Sequence, residues 1–462
     1  NIKILGTVNE PILMNHKSKL KKTPFYQHIH EVLFDQMDFI AEETFGPPHL
    51  KPFKGKGGEW TSPYNLAYRK MNSCKGRANR RTLRKVIKLI SKKWIARMKK
   101  RGVTKLHPLT LEEAINGAKE DYYARSIDMS KGAGYGFHGK KKSHFDEILE
   151  GLFEPSESLM KKVIARKKRY LDGKGEPIIF TGMPKDEPRE RRKIELGKTR
   201  LFYAGMLDSL VVARQYLAPF YTLMSQYRLD FGCALGVDPH REAKGLMDHL
   251  SYFNKGQYGK ELMIEGDYSG YDVNMCPDIT WAAFTIISII LKAMGYTEDA
   301  MKIVNGLLSD FMHPYILILG DLIMVLITPS GKYGTAEDNS VKGVVIIVYI
   351  FISHPNGKDK DPFICVRILV YGDDMECAVR PDCKWFDSFY FSKACKEELG
   401  LTFTSAAKGE HSQRFVDLFA ASFLRRSFRV RNGVCVMPLT MNSAEKTIGW
   451  IIPSRFTTEK DQ

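Results

Sequence analysis

With 462 residues, 44% of them hydrophobic and 27% charged, the chain has the composition of a globular protein with room for two or three domains, not of a disordered or fibrous one. Lysine and arginine number 70 against 53 acidic residues, and the formal charge of +17 favours a polyanionic partner, nucleic acid first; a basic surface without a ligand is the plainer alternative. The eight cysteines form no C-x-x-C pair and have no histidine at zinc spacing, so they read as reduced, buried thiols in a cytosolic setting, and the longest apolar run, 344–352, is far short of the roughly 20 residues a bilayer span needs.

In chain order, residues 1–60 mix short apolar groups with Pro and Lys and read as an extended, loop-rich entry without the apolar core of a signal peptide. The absence of an initial Met fits a piece released from a polyprotein and equally a trimmed chain. Over 80–101 the apolar residues Leu83, Val86, Ile87, Ile90, Trp94 and Ile95 have helical spacing, with Lys and Arg on the other face. Such a face is more often solvated than RNA-facing. Ser130-Lys131-Gly132-Ala133-Gly134-Tyr135-Gly136 is glycine-rich but lacks the spacing of a dinucleotide fingerprint or a P-loop, so alone it is a flexible loop. Between Lys185 and Arg200 stand Lys185, Arg189, Arg191, Arg192, Lys193, Lys198 and Arg200, a run that by itself is usually a solvated face.

Helices are expected over 207–227 and 239–252. An apolar strand then ends in acids at Glu265-Gly266-Asp267-Tyr268-Ser269-Gly270-Tyr271-Asp272. Two apolar helices, 279–294 and 298–312, and a hairpin around Gly320-Asp321 lead to Pro329-Ser330-Gly331-Lys332-Tyr333-Gly334-Thr335-Ala336-Glu337-Asp338-Asn339-Ser340, a bent loop that opens a helix running through 352. The apolar strand from 363 turns back at Gly372-Asp373-Asp374, because Gly372 tolerates the turn and pushes both acids to the hairpin tip. Gly-Asp-Asp arises by chance in roughly one chain in ten of this length, so alone it is weak. A second strand-end acid, Asp267, lifts it. Brought together, the two strand ends would hold two cations ~3.5–4 Å apart, the spacing used for displacement at phosphorus, and magnesium prefers such oxygen ligands. A helix over 383–399, the stretch Gly400 to Lys408, and Phe423-Leu424-Arg425-Arg426-Ser427-Phe428 complete the pass.

These motifs, in this order, resemble the RNA-dependent RNA polymerases of picornaviruses and picorna-like positive-strand RNA viruses over most of the chain. The resemblance implies an α+β right-hand fold: an antiparallel palm sheet flanked by helices, helical and loop-built fingers, and a partial thumb. It divides the chain into fingers at 1–206, palm at 207–238, a fingers–palm junction at 239–258, the catalytic palm at 259–422, and a primer-grip hairpin with the start of the thumb at 423–462. Only 34 residues follow Phe428, which leads to the expectation of a truncated record or a thumb of different build.

The same resemblance assigns roles. Asp267, Asp373 and Asp374, with the carbonyl of Tyr268, would hold two Mg2+ ions, Mn2+ being a substitute. Lys185, Lys193 and Arg200 would line the nucleotide entry path, where Arg offers a planar fork and Lys a point charge to the triphosphate. Asp272 with Ser330, Thr335 and Asn339 would check the sugar, an acceptor rewarding the 2′-OH that the aromatic gate of a reverse transcriptase rejects. Lys408 would protonate the departing pyrophosphate. Ser130, Gly132 and Gly134 would line the template channel, and Arg425 and Arg426 would grip the nascent strand through its phosphates. The implied activity is transfer of NMP from NTP to an RNA 3′-hydroxyl, with RNA template and primer, a small viral protein primer and other viral replication proteins as partners. The implied place is the host cytoplasm, at membrane-associated replication complexes. The rivals are a reverse transcriptase and a non-catalytic RNA-binding protein that keeps the architecture.

Overall fold

The structure, a computed structural model, describes residues 2–8, 17–35, 45–55, 57–73, 75–119, 121–406 and 409–453. Seven helices carry most of the packing: α1 (Arg80–Lys100), α2 (Glu157–Leu171), α3 (Leu207–Gln226), α4 (Pro277–Ala293), α5 (Glu298–Met312), α6 (Thr335–Ser353) and α7 (Ser388–Leu399). In α1 the 3.6-residue period decides the outcome. Leu83, Val86, Ile87, Ile90 and Trp94 are buried, and the Asn79 side chain caps the first turn by accepting from Thr82 N–H. By contrast α3 and α6 are buried almost all round, as befits helices in the middle of a large domain.

The two larger sheets use strands β1 (Lys3–Thr7), β2 (Ile179–Pro184), β3 (Leu201–Ala204), β4 (Met263–Tyr268), β5 (Tyr315–Ile318), β6 (Asp321–Met324), β7 (Val366–Tyr371), β8 (Asp374–Val379) and β9 (Phe403–Thr404). The five-stranded sheet has the order β1-β6-β5-β2-β3, with β5 and β2 parallel and the other pairs antiparallel. The four-stranded sheet has the order β7-β8-β4-β9 and is antiparallel throughout, the palm expected from the motifs. Separately, Lys21–Lys22 pairs with Trp450–Ile451 and so ties the entry segment to the last described helix, Met441–Gly449.

Side-chain alternation along the palm strands gives the sheet two unlike faces. Ile264, Ile368, Val370, Met375, Cys377 and Val379 turn to one face, into the main core with α4 and α6. Met263, Leu369 and Ala378 turn to the other, into a second cluster closed by Leu418, Phe423 and Phe428. Burying each such aliphatic side chain is worth roughly 1.5–3 kcal/mol, so the sheet is clamped between two cores and its strand ends are held rigidly. Among the described residues no helix is long and apolar enough to cross a membrane.

Candidate active site

The register of the palm strands brings the acids together. Gly266 of β4 lies opposite Met375 of β8, so one residue further along the antiparallel pair Asp267 faces Asp374. Tyr371 pairs with Asp374 across a two-residue turn in which Gly372 has φ +63°, the glycine-first geometry that suits a tight hairpin. That turn puts Asp373 at the tip, exposed to solvent. Its amide neighbour is fixed as well, since Gly372 N–H donates to Ser340 Oγ at 2.9 Å, tying the hairpin to α6.

Charge has gathered here. Asp373 is exposed at the turn but backed by the protein mass around the sheet end, which together with the nearby Asp267 and Asp272 pushes its carboxyl up, while Arg200 draws it down. Burial together with Asp373 and Asp267 raises Asp374 to about 6, against the opposing pull of Arg425 and the Leu424 amide. Asp373 and Asp374, both raised beside Asp267, are short of positive charge, and carboxylate oxygens suit a hard divalent cation; among the described residues the side chains do not stand as a closed set of three metal ligands.

The sugar-check residues expected from sequence meet beside the acids. Asn339 Nδ2 donates to Asp272 Oδ1 at 2.6 Å, and Tyr271 Oη donates to the Asn339 carbonyl at 3.0 Å. Burial raises the Asp272 carboxyl, and Asn339, Lys342 and Arg200 act against it. Ser330 is exposed on the loop before α6. Thr335 uses its hydroxyl to brace that loop, donating to the Pro329 and Lys332 carbonyls at 3.1 and 2.8 Å.

The basic run is organised by one acid. Glu187 accepts from Arg200 Nε at 2.7 Å and pairs with Lys185 Nζ at 3.0 Å and Arg189 Nη1 at 3.6 Å. Burial opposes the Glu187 charge, yet Arg200 and Lys185 outweigh it and hold its carboxyl below the usual range. Arg200 also acts against the upward shifts of the Asp272 and Asp373 carboxyls. Lys193 lies on the short helix Arg191–Glu195 and pairs with Glu190.

Two loops are pressed against β3 and its exit. A Cβ on Gly331 would meet the Tyr203 carbonyl oxygen at 1.9 Å, and one on Gly134 would meet the Gly205 oxygen at 2.0 Å. Only glycine allows such backbone-on-backbone packing. Gly132 stands in open space, bridged to Lys140, and Ser130 bonds Asp128 Oδ1 through its amide and hydroxyl at 2.9 and 2.6 Å.

The hairpin Ser422–Phe423 with Arg426–Ser427 covers the acid-bearing face of the palm. Arg425 is exposed at its tip, while Arg426 donates to the Met437 carbonyl at 2.7 Å. The Tyr268 ring is buried, with its hydroxyl 3.6 Å from Met375 Sδ. Lys408 lies outside the described residues.

Several participants escaped sequence reasoning. Glu265 and Glu376 are paired across β4 and β8, on the same face as Asp267 and Asp374, so four acids form a ladder. Glu376 is 1% exposed and neither of its carboxylate oxygens has a hydrogen-bond partner. Burial, then Glu265 and Asp374, push its carboxyl well up. Asp338 forms a buried ion pair with Lys332 and accepts from Tyr221 Oη at 2.7 Å, which explains an acid in the first turn of an otherwise apolar helix. For Glu265 and Glu376 the available signal was their position two residues from each strand-end aspartate; for Asp338 it was an acidity, shared with Glu337, that is unusual at that place in the loop motif.

An antiparallel palm sheet with three aspartates near its strand ends, bordered by a basic run and a capping hairpin, has the architecture of a right-hand nucleic-acid polymerase. The family model described as viral RNA-dependent RNA polymerase matches residues 43–462. The chain is 27% identical over 388 residues to the replicase polyprotein of Drosophila C virus (strain EB), a match covering 77% of this chain and 21% of that protein. The chain thus spans about a fifth of the length of that relative. Among solved structures, the sicinivirus 3Dpol RNA-dependent RNA polymerase superposes with a TM-score of 0.79 at 19% identity, covering 97% of this chain and 88% of that one, a likeness of fold. The chain belongs to the viral RNA-dependent RNA polymerase family. Members of that family work with divalent metal ions.

Proposed function

We propose that this chain extends an RNA primer on an RNA template by attack of the primer 3′-hydroxyl on the α-phosphorus of an NTP, forming a phosphodiester bond and releasing pyrophosphate. The observation that carries this is the convergence of Asp267, Asp373 and Asp374, from two strands 106 residues apart in sequence, at one solvent-facing sheet end. These carboxylates and the Tyr268 carbonyl would hold two Mg2+ ions, replaceable by Mn2+, which would lower the pKa of the attacking hydroxyl and offset charge on the departing oxygens.

The chain's own groups do the rest. Arg200 and Lys185, held side by side by Glu187, grip the triphosphate, and Lys193 adds positive charge along the entry path. Asp272, oriented by Asn339, accepts from the ribose 2′-OH, while Ser330 and Thr335 shape the loop around the sugar. Arg425, whose charge draws down the Asp374 carboxyl, holds the nascent strand by its phosphates, with Arg426 bracing the hairpin, and Ser130, Gly132 and Gly134 border the template path. Lys408 delivers the proton to pyrophosphate. Initiation on a small viral protein primer, within cytoplasmic, membrane-associated replication complexes and with other viral replication proteins, follows the picornavirus-like assignment.

Primer extension on an RNA template with Mg2+ tests the reading. The native chain incorporates NTPs far better than dNTPs, and Asp373→Ala abolishes synthesis while RNA binding is kept. Preferential dNTP incorporation would identify a reverse transcriptase instead. Undiminished behaviour of Asp373→Ala would leave only an RNA-binding protein with this architecture.

A further inference from the structure

The sugar check depends on which end of the Asn339 amide faces Asp272. An amide presents an acceptor at Oδ1 and donors at Nδ2, and only the donor end holds a carboxylate. In this chain a charged side chain makes that choice. Lys342, one turn along α6, has no exposed surface and donates from Nζ to Asn339 Oδ1 at 3.2 Å and to Thr328 Oγ1 at 2.7 Å. An ammonium can only donate, so it claims the oxygen end of the amide and leaves Nδ2 for Asp272 Oδ1. The same short segment is tied to Asp272 through the backbone, where Thr328 N–H donates to the Asp272 carbonyl at 2.9 Å.

We propose that Lys342 is a positioning residue that fixes the Asn339 amide and the Asp272 carboxylate, and so sets how strictly the polymerase separates a ribonucleotide from its 2′-deoxy counterpart. This rests on the reading of Asp272 and Asn339 as the sugar check. Without the ammonium the amide is free to turn its oxygen toward Asp272, which repels it and loosens the acceptor that the 2′-OH requires.

Charge on Lys342 is finely balanced. Burial lowers its pKa to about 8, with Asp338 on its own helix and Asp272 beyond β4 supporting the charge and Lys332 on the preceding loop opposing it. Asp338 is itself engaged by Lys332 and by Tyr221 of α3, and the α4 side contributes the Phe284 ring, 5.9 Å away, with no charge. A neutral amine at higher pH can serve as acceptor as well as donor, so the amide is no longer fixed.

The experiment is single-nucleotide extension of an RNA primer–template by the full chain, read as the ratio of kcat/KM for an NTP to that for the matching dNTP between pH 6.5 and 9. Effects common to both substrates cancel in that ratio. The native ratio falls as pH rises through about 8. Lys342→Met lowers it on the order of tenfold and makes it independent of pH, whereas Lys342→Gln, which keeps an uncharged donor, preserves most of the ratio and also lacks the pH dependence. A native ratio constant from pH 6.5 to 9, or an unaltered ratio in Lys342→Met, overturns the proposal. Should Lys342→Met fail to fold, the native profile and Lys342→Gln decide it. Asn339→Ala and Asp272→Ala separate the two levels: if they reduce the ratio and Lys342→Met does not, Lys342 alone is misassigned, and if they too leave it unchanged, the sugar check itself falls.

Discussion

At the scale of single residues, buried titratable groups make this protein sensitive to pH away from its chemistry as well as within it. His249 places Nε2 3.0 Å from the Ile368 carbonyl, and burial lowers its pKa to about 4. The unfolded chain therefore binds a proton between pH 6.5 and 4 that the native state refuses, and stability falls as pH drops through that window. The loss reaches at most roughly 3 kcal/mol, and urea midpoints for His249→Gln fall less steeply between pH 7 and 4 than those of the native chain. Glu376 has the opposite sign. Its carboxyl is raised by burial and by Glu265, so the native state keeps a proton that the unfolded chain releases, and the cost of the site grows as pH rises above the ordinary carboxylate range. Glu376→Gln is expected to raise the urea midpoint at pH 8 and to change it much less at pH 5, measured with EDTA present so that metal binding does not enter. A carboxyl pair facing across β4 and β8 was not legible beforehand, because the partner of Glu376 depends on a strand register that spans more than a hundred residues of chain.

At the scale of elements, the capping hairpin carries local strain. Leu424 and Arg425 occupy its two turn positions at φ +53° and +57°, a backbone region that side chains other than glycine and asparagine enter at a cost. Leu424→Asn therefore stabilises the fold by up to about 1 kcal/mol in chemical denaturation. Arg425→Ala weakens RNA binding and reduces the slope of log K against log salt by about one, as loss of a single phosphate contact requires. Loss of RNA affinity with an unchanged salt slope would remove Arg425 from the phosphate path. Element boundaries were legible where a period and a cap agreed. The helix expected over 298–312 is found as Glu298–Met312, with the Thr297 side chain accepting from Ala300 N–H. Where a local turn competed, the expectation ran long. The helix expected from 239 starts at Ala243 because Asp238 Oδ1 takes the His240 and Arg241 amides, and that expected from 383 starts at Ser388, where Asp387 caps it.

At the scale of the whole molecule, the palm is an exchange of constraints between distant parts of the chain. Gly134 and Gly331 let two loops close on β3 and its exit, so that each loop packs backbone on backbone there. Gly331→Ala, whose Cβ would lie 1.9 Å from the Tyr203 oxygen, is expected to cost several-fold in kcat/KM and roughly 2–4 kcal/mol in stability, read by primer extension and thermal unfolding. The acids were legible because strand ends concentrate them in sequence, and the Asp272–Asn339 pair through the family resemblance of the loop motif. Lys332, Lys342 and Glu187 were not, because a charge reveals its use only once its buried partner is known. Everything rests on Asp267 meeting Asp373 and Asp374 around shared cations. Anomalous diffraction from crystals of the full chain grown with Mn2+ tests this directly: the account predicts manganese bounded by all three carboxylates at the end of the palm sheet, and manganese bound elsewhere, with Asp267 turned away from Asp373, would contradict it.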